Sequence, residues 1–529
     1  MKPVLIVGAG PSGLMMAHEL MRLGIKPKLI EKDLARSPYS RAIGVQIRTL
    51  EIFSALGLYK KLASKAQTVG GVEIYAEGRK PVKIAIENPS VFVRPHIVDE
   101  PHTEQVLEDA LLSLGIKIKR GVELLSLRQE GDSVKALLKD ENGTLEEEFS
   151  YVIGADGAHS TVRKSMENQF LGSAYEDAFI LADATCKTEI PADAFRVFFK
   201  KKLFLAMIPM FGQDHYRLIS VRRNDLHKDG PKPSIEEFKE LIKQLLPFSF
   251  EIEEHSWVSR FFVQCRSARF YQDRRLFLIG DSAHIHSPAG GQGMNTGLQD
   301  AFNLAWKLSM VIKGQGKEKL LESYQQERKP VGDFLIERAD RLFKFMVKSS
   351  LWARLLRRFV LPRMARSQDL RKKFFAILSQ TAIRYQKGAI CEKEHGILGN
   401  LEIGKRIPNL SIITNQLKKT DIHTLGLSTK PFFLLVLPAS VDKKSIKLSL
   451  QLKNQLEHEH FQCHMLFAND YDAEALLGQS DYLVAEKLSS WEITEPSFII
   501  VRPDHHIFCF GPMTDTTHGK ESLNQVFYE

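Results

Sequence analysis

The sequence is poor in cysteine, and no two of its thiols stand close together in the chain. Cys186, Cys265, Cys391, Cys463 and Cys509 are scattered, odd in number and form no C-x-x-C, which excludes a disulfide framework and a dithiol or zinc motif. Reduced thiols are expected. Long apolar runs are lacking too, since no stretch approaches the roughly 20 residues that cross a bilayer. Met1-Lys2-Pro3 leads straight into the apolar run Val4 to Val7, with no signal-peptide pattern, so a cytoplasmic location without stable membrane insertion is expected. His284 and His286 form an H-x-H and His505 and His506 are adjacent, but no further ligands stand at metal spacing, and no metal is expected. Strands with repeated basic and aromatic residues are also missing, which speaks against nucleic acid as a partner.

Positive charge is concentrated in one place. Between Arg341 and Ile390 stand thirteen basic residues and one acid, Asp369, whereas the whole chain of 529 residues has a net charge of +9, so the remainder is slightly acidic. Trp352, Leu355, Leu356 and Phe359 recur at helical spacing before Pro362, which predicts a basic amphipathic helix. Two readings stand: a helix packed on its own protein with a solvated charged face, or contact with an anionic membrane surface or partner. Length alone predicts two to four domains, and 43% hydrophobic with 26% charged residues is the composition of a globular chain.

Two glycine-rich turns carry the chemistry. The first lies in VLIVGAGPSGLMMAHELMRLGIKPKLIEK, residues 4 to 32, where an apolar strand runs into Gly8, Gly10 and Gly13 and then into a helix. In this arrangement the first glycine permits the tight turn, the second lets a pyrophosphate approach the backbone, and the third lets helix and strand pack closely. Phosphate then meets the helix amino terminus. Glu31 ends the next strand, where a carboxylate accepts from a ribose and repels a 2′-phosphate. The second turn follows the apolar run Leu276 to Ile279: Gly280-Asp281, then Gly290, Gly291, Gly293 and Gly297 around the start of a helix whose apolar face is Leu298, Ala301, Phe302, Ala305 and Leu308. Two such turns in one chain point to FAD.

These motifs, with YVIGADGAHSTVR at residues 151 to 163, resemble those of the group A flavoprotein aromatic monooxygenases, the family of para-hydroxybenzoate, phenol and polyketide hydroxylases. RAIGVQIRTLEIFSALGL from Arg41 and SYQQERKP from Ser323 resemble family positions as well, and the likeness is strong over residues 1 to 345. The resemblance implies a Rossmann-type α/β FAD-binding domain, an inserted antiparallel sheet that roofs the substrate pocket, and a carboxy-terminal thioredoxin-like domain. It implies that Gly8, Gly10, Gly13, Glu31, Lys32, Arg41, Asp156, Gly157, Asp281 and the backbone of Gly293, Met294 and Asn295 hold FAD, the last three at the flavin's pyrimidine edge. Asp156 would also lie on the path of the nicotinamide cofactor. Pro288 is the candidate for a backbone carbonyl facing substrate, and Met207 and Pro209, with Phe204 and Phe211, are candidates for the pocket wall. Glu100 stands where many relatives have Gln, and Ile43 where phenol-hydroxylating relatives often have an acid, so neither of those family contacts carries over.

The resulting division is 1–345 for the FAD-binding region, with 71–96 and 171–274 as the substrate sheet, 346–395 for the basic segment and 396–529 for the thioredoxin-like domain. IIVRPD at 499 to 504 resembles the close of that appendage; without a cysteine pair it reads as structural or oligomerising, which leaves a homodimer open. The expected activity is hydroxylation of a phenolic or polycyclic aromatic small molecule, with FAD as cofactor, NADPH or NADH as transient reductant and O2 as co-substrate. A reductase or epoxidase of a quinone or isoprenoid lipid, and a non-catalytic FAD-binding scaffold, use the same motifs. The lack of a Trp-x-Trp pair speaks against a halogenase.

Overall fold

The computed structural model describes the chain apart from residues 1, 41, 79–80, 87–91, 93, 223–231, 288–290, 348–362, 364–365, 391–396, 415–417, 426–429, 440, 458–460, 469–481 and 527–529. Arg41, Pro288, Gly290 and the amphipathic stretch Trp352 to Phe359 therefore lie outside the described residues.

Val4–Val7 is a fully buried strand inside a six-stranded sheet. Tyr151–Gly154 and Lys28–Glu31 flank it, with Leu276–Leu278 and Lys119–Arg120 beyond them, all parallel. Gln272–Asp273 closes one edge antiparallel. Parallel strands covered on both faces read as unbroken apolar runs, which is why VLIV, YVIG and LFLI stand out in the sequence. Helix Pro11–Arg22 leaves the first strand and lies against helix Gly293–Ile312. The two meet at Ser12, whose hydroxyl fills the space a Cβ on Gly280 or Gly297 would need.

The second sheet has eight strands drawn from distant parts of the chain: Gly71–Ala76, Val82–Ala85, Phe170–Thr188, Ala194–Lys200, Leu203–Pro209, His215–Arg222, Phe250–Ala268 and His284–Ile285. It is antiparallel except where Gly71–Ala76 runs parallel to Ala194–Lys200. One face is sealed by helix Ile235–Leu245, under which Leu205, Met207, Tyr216 and Leu218 are buried. Successive strand side chains point to opposite faces, so Phe204, Ala206 and Ile208 turn the other way, into clusters with Phe195, Ile219 and Ile43. This corrects the expectation for Met207, which sits in the core under that helix, and by the same alternation Pro209 shares its side. Phe211 is about half exposed in the turn beyond.

The carboxy-terminal sheet has the order Lys419–Asp421, Ser411–Thr414, Leu483–Ala485, Gln462–Ala468, Phe432–Leu437, Ser497–Val501, Ile507–Pro512. Phe432–Leu437, helix Lys443–Leu456 and Gln462–Ala468 form a parallel β-α-β unit; Cys463 is buried in its second strand and Cys509 in the edge strand Ile507–Pro512. Helix Lys319–Val347 runs on past residue 345, and helix Gln368–Leu378 packs against the second sheet, so the described part of 346–395 is not a free-standing unit. Among the described residues no helix is long and apolar enough to cross a membrane.

Candidate flavin site

Four neighbouring parallel strands end at the same edge of the first sheet. In register, Leu278, Gly154, Val7 and Ile30 lie side by side, so Gly280-Asp281, Ala155-Asp156, Gly8 and Glu31 emerge together. Ligands of such sheets bind outside the carboxyl ends of the strands. The motifs separated by more than a hundred residues in the sequence are thus one site.

The three glycines of the first turn differ in what surrounds them. Gly8 has φ +102°, and a Cβ there would run into the Ala155 carbonyl; a Cβ on Gly13 would run into the Gly8 carbonyl. Around Gly10 nothing lies within 4 Å of such a Cβ. Gly10 is also the N-cap of helix Pro11–Arg22, and the helical ladder begins only with Leu14 N–H donating to Gly10 O at 3.0 Å. Open space over a helix amino terminus fits a pyrophosphate. Glu31 is held at the strand end, accepting from Ala9 N at 2.8 Å and Asp33 N at 3.1 Å, while Lys32 is exposed.

Asp156 accepts from Thr161 N at 2.7 Å and Val162 N at 3.2 Å through one oxygen, and its other oxygen is buried without a partner. Burial pushes this carboxyl up, against those bonds. Gly157 follows with φ +73°. Asp281 is exposed within the short helical turn Gly280–Ser282. At the far side, helix Gly293–Ile312 opens with Gly293, Met294 and Asn295, and its ladder starts at Thr296 N–H to Gln292 O, 2.9 Å. The Asn295 side chain is more than a bystander to that backbone. Fully buried, it accepts from Gln46 N at 2.8 Å and donates to Gly44 O at 3.0 Å and Gly291 O at 2.9 Å, tying the strand Ile43–Val45 to the helix start.

Ser40 and Ala42 are held from two directions. Glu100 accepts from Ala42 N at 3.1 Å and its own N–H donates to Ser40 Oγ at 3.1 Å, while Arg217 of the second sheet reaches the same hydroxyl at 3.4 Å. Arg217 is otherwise committed to Asp183, with two bonds of 2.7 Å. Glu104, one turn beyond Glu100, is pushed up to about 8 by burial and then by the Glu100 charge.

Sequence reasoning missed the groups beneath this edge. Asp300, fully buried on helix Gly293–Ile312, accepts from Gly280 N at 3.1 Å and Arg328 Nε at 2.8 Å, and bonds His284 Nε2 at 2.7 Å. Burial alone would raise its carboxyl, but His284 and Arg328 outweigh burial and hold it low. The H-x-H is therefore split in role. His284 braces Asp300; His286, whose Nδ1 bonds Ser287 O at 3.0 Å, is pushed down to about 4 by burial and is neutral. In the sequence Asp300 stands between Gln299 and Ala301, and nothing local marks it as a buried acid.

Comparison with known proteins agrees with this geometry. A family model described as an FAD binding domain matches residues 1–339. The chain is 32% identical to the uncharacterized aromatic compound monooxygenase YhjG of Bacillus subtilis, over 83% of this chain and 85% of that one. It is 30% identical to a rifampicin monooxygenase of Streptomyces venezuelae, over 75% and 81%. The solved structure of CabE, an aromatic hydroxylase from angucycline biosynthesis, superposes with a TM-score of 0.75 at 25% identity, covering 99% of both chains. With a family model over more than half its length and a relative of this identity and coverage, the chain belongs to the FAD-dependent aromatic monooxygenases.

Proposed function

We propose that this enzyme hydroxylates a phenolic or polycyclic aromatic small molecule, using NADPH or NADH and dioxygen. The observation that carries the reading is the convergence of Gly8, Glu31, Asp156 and Gly280 at four adjacent strand ends, facing the amino terminus of helix Gly293–Ile312. Relatives named for rifampicin, pentachlorophenol and 6-methylpretetramide support an aromatic substrate.

In this reading the open space over Gly10 takes the pyrophosphate of FAD, Glu31 the adenosine ribose, and Asp156 and Asp281 the central part of the cofactor. The amides of Gly293, Met294 and Asn295 supply partial positive charge at the pyrimidine edge, favouring the electron-rich reduced state. Bound there, FAD supplies hydride acceptance from the nicotinamide and activation of dioxygen for transfer of one oxygen atom to the ring. The protein's own work is to orient the ring and exclude water. The half-buried apolar side chains Ile43, Phe195 and Ile219 do this from the sheet side. His286, neutral at physiological pH, adds no charge near the helix amino terminus. The carboxy-terminal unit, with its β-α-β and hairpin order, is a thioredoxin-like scaffold with its thiols buried, serving structure.

Labelled dioxygen tests the reading. Turnover of a phenol with NAD(P)H should place one labelled oxygen atom in the product, and the phenol should accelerate NAD(P)H oxidation. Substrate reduction under strict exclusion of oxygen, or turnover without label in the product, would assign the enzyme to the reductases instead.

A further inference from the structure

The second sheet carries a polar rung on the face away from its covering helix. Trp257, Asp183 and Arg217 are partners in register on three adjacent strands, and their chain neighbours Ala182, Ala184, Tyr216 and Leu218 are buried under helix Ile235–Leu245. Side chains alternate across a strand, so the rung points to the opposite side. Asp183 joins its parts. Its Oδ2 accepts from Trp257 Nε1 at 2.8 Å and from Arg217 Nη2 at 2.7 Å, and its Oδ1 accepts from Arg217 Nε at 2.7 Å. A bidentate guanidinium fixes the carboxylate, and the carboxylate in turn fixes the indole. The ladder is irregular at the same place: Asp183 pairs with Trp257 but Ala184 with His255, so Ser256 is an extra residue. Such a bulge bends its strand and re-aims a side chain.

What the rung holds is the segment from Lys32 to Ser40. The Tyr39 ring lies against Trp257, with centroids 5.1 Å apart and planes 38° from parallel, and Arg217 Nη1 donates to the hydroxyl of the next residue, Ser40, at 3.4 Å. The segment follows Glu31 and leads to Ile43–Val45, the strand that Asn295 ties to the flavin helix. It therefore joins the residues read as holding the two ends of FAD. On its other side it is fastened to helix Glu100–Ser113, where Arg36 donates to Pro101 O at 3.3 Å and to Gln105, and Glu100 N donates to Ser40 Oγ at 3.1 Å. Tyr39 itself is 55% exposed, and among the described residues its ring contact is Trp257. A ring that far in water adds little to a core.

We propose that Trp257 and Asp183 are positioning residues for the cofactor: acting through Tyr39, they hold the segment from Lys32 to Ser40 closed along FAD, so that the second sheet sets how fast FAD is released. This rests on the proposed placement of FAD over Gly10, Glu31 and Gly293. Losing the Tyr39 contact frees the segment on the sheet side and leaves only its fastening to helix Glu100–Ser113.

The test is the rate at which FAD leaves the loaded protein after dilution, read from the rise in FAD fluorescence, alongside urea unfolding of the apoprotein. Tyr39→Ala should speed release about tenfold, the worth of an aromatic pair and the area it covers. Unfolding of its apoprotein should be unchanged, which separates positioning from a general loss of structure. Tyr39→Phe keeps the ring and should release FAD at the wild-type rate. Trp257→Ala should match Tyr39→Ala, and Trp257→Phe, which keeps a ring but drops the bond to Asp183, should fall between. Because the two rings act on each other, Tyr39→Ala combined with Trp257→Ala should release FAD no faster than the quicker single variant. Release at the wild-type rate from Tyr39→Ala, or a double variant whose effect is the product of the two single ones, overturns the proposal. Loading of FAD by Gly10→Val would instead remove FAD from that turn and sink the placement on which the proposal rests, so the two failures are distinct.

Discussion

Arg502 of the carboxy-terminal unit places its two terminal nitrogens on the two oxygens of Glu327, at 2.7 and 2.8 Å, and neither side chain is reached by solvent. The pair is the centre of a larger buried array. Glu327 also accepts from Lys307 at 2.7 Å and from Asn303 at 2.8 Å, Arg502 is shared with Asp504, and Asn303 reaches Asp504 at 3.0 Å. Burial would raise the Glu327 carboxyl, but Arg502 and Lys307 hold it down at about 2. This is what IIVRPD and the segment from Ser323 do: each supplies half of an ionic lock between the appendage and helix Lys319–Val347, which Lys307 and Asn303 of the flavin helix join. Removing one partner leaves an uncompensated buried charge, which costs about 3–5 kcal/mol. Arg502→Met should therefore lower the unfolding free energy by that order in urea titrations. Arg502→Met with Glu327→Leu should recover part of the loss. A single variant as stable as wild type would contradict the lock.

Acid should weaken the fold earlier than its carboxylates alone would. His286 and His506 are pushed down to about 4 by burial, and His423 and His505, buried beside Arg48, lie well below the ordinary histidine value. Such histidines take up a proton near pH 6.5 in the unfolded chain but resist it in the folded one, so their stabilisation is full above pH 6.5 and lost as pH falls toward 4. Each contributes up to about 1.4 kcal/mol per pH unit across that window. Glu327 adds its own loss only below pH 4.5, down through about 2. Unfolding free energy measured between pH 7.5 and 4.5 should fall from about pH 6.5, and His506→Gln should flatten the slope by one proton. A flat profile between pH 6.5 and 5 would contradict it.

The parts of the site that were legible in the sequence are those with a local cause. Gly8, Gly10 and Gly13 announce a turn because the turn itself forbids other residues, and the parallel strands announce themselves by unbroken apolar runs. The Met207 side was misread because an apolar strand shows its period but not which face is covered; that is decided by helix Ile235–Leu245, thirty residues later. Asp300, Glu327 and Arg502 are ordinary charged residues in sequence, and only the packing of three distant elements makes them partners. The packing of Phe374, Phe375 and Leu378 on the second sheet lies inside a segment whose charge masks its apolar side.

Gly10 and Gly13 should separate cofactor binding from folding. The backbone at Gly10, φ −72° and ψ −179°, suits any residue, and a Cβ there meets nothing within 4 Å. Gly10→Val should fold like the wild-type apoprotein yet fail to retain FAD, because its side chain occupies the pyrophosphate's place. A Cβ on Gly13 runs into the Gly8 carbonyl, so Gly13→Ala should lower the melting temperature of the apoprotein itself. The readouts are FAD fluorescence released on denaturation and thermal unfolding of the stripped proteins. Retention of FAD by Gly10→Val would remove the pyrophosphate from this turn.

Asn295 offers the sharpest contrast between shape and hydrogen-bond polarity. Its Nδ2 donates to two backbone carbonyls, Gly44 O and Gly291 O, and its Oδ1 accepts from Gln46 N, all without solvent. Asn295→Ala leaves one donor and two acceptors unpaired, at about 1–3 kcal/mol for each that water cannot reach. Asn295→Asp keeps the volume and the bond from Gln46, and a carboxylate in the first turn gains about 0.3–1 kcal/mol from the helix amino terminus. That gain is smaller than the cost of facing an anion toward two carbonyl oxygens in a dry site. The aspartate should relieve this by holding a proton, which restores one of the two donated bonds and raises its pKa above the ordinary carboxylate value. Asn295→Asp should therefore be nearer wild type at pH 5 than at pH 8 in both unfolding free energy and FAD retention, while the Asn295→Ala deficit should not shift with pH in that direction. Equal losses for Asp at both pH values would show that the bonds to Gly44 and Gly291 carry little of the energy that joins this strand to the flavin helix.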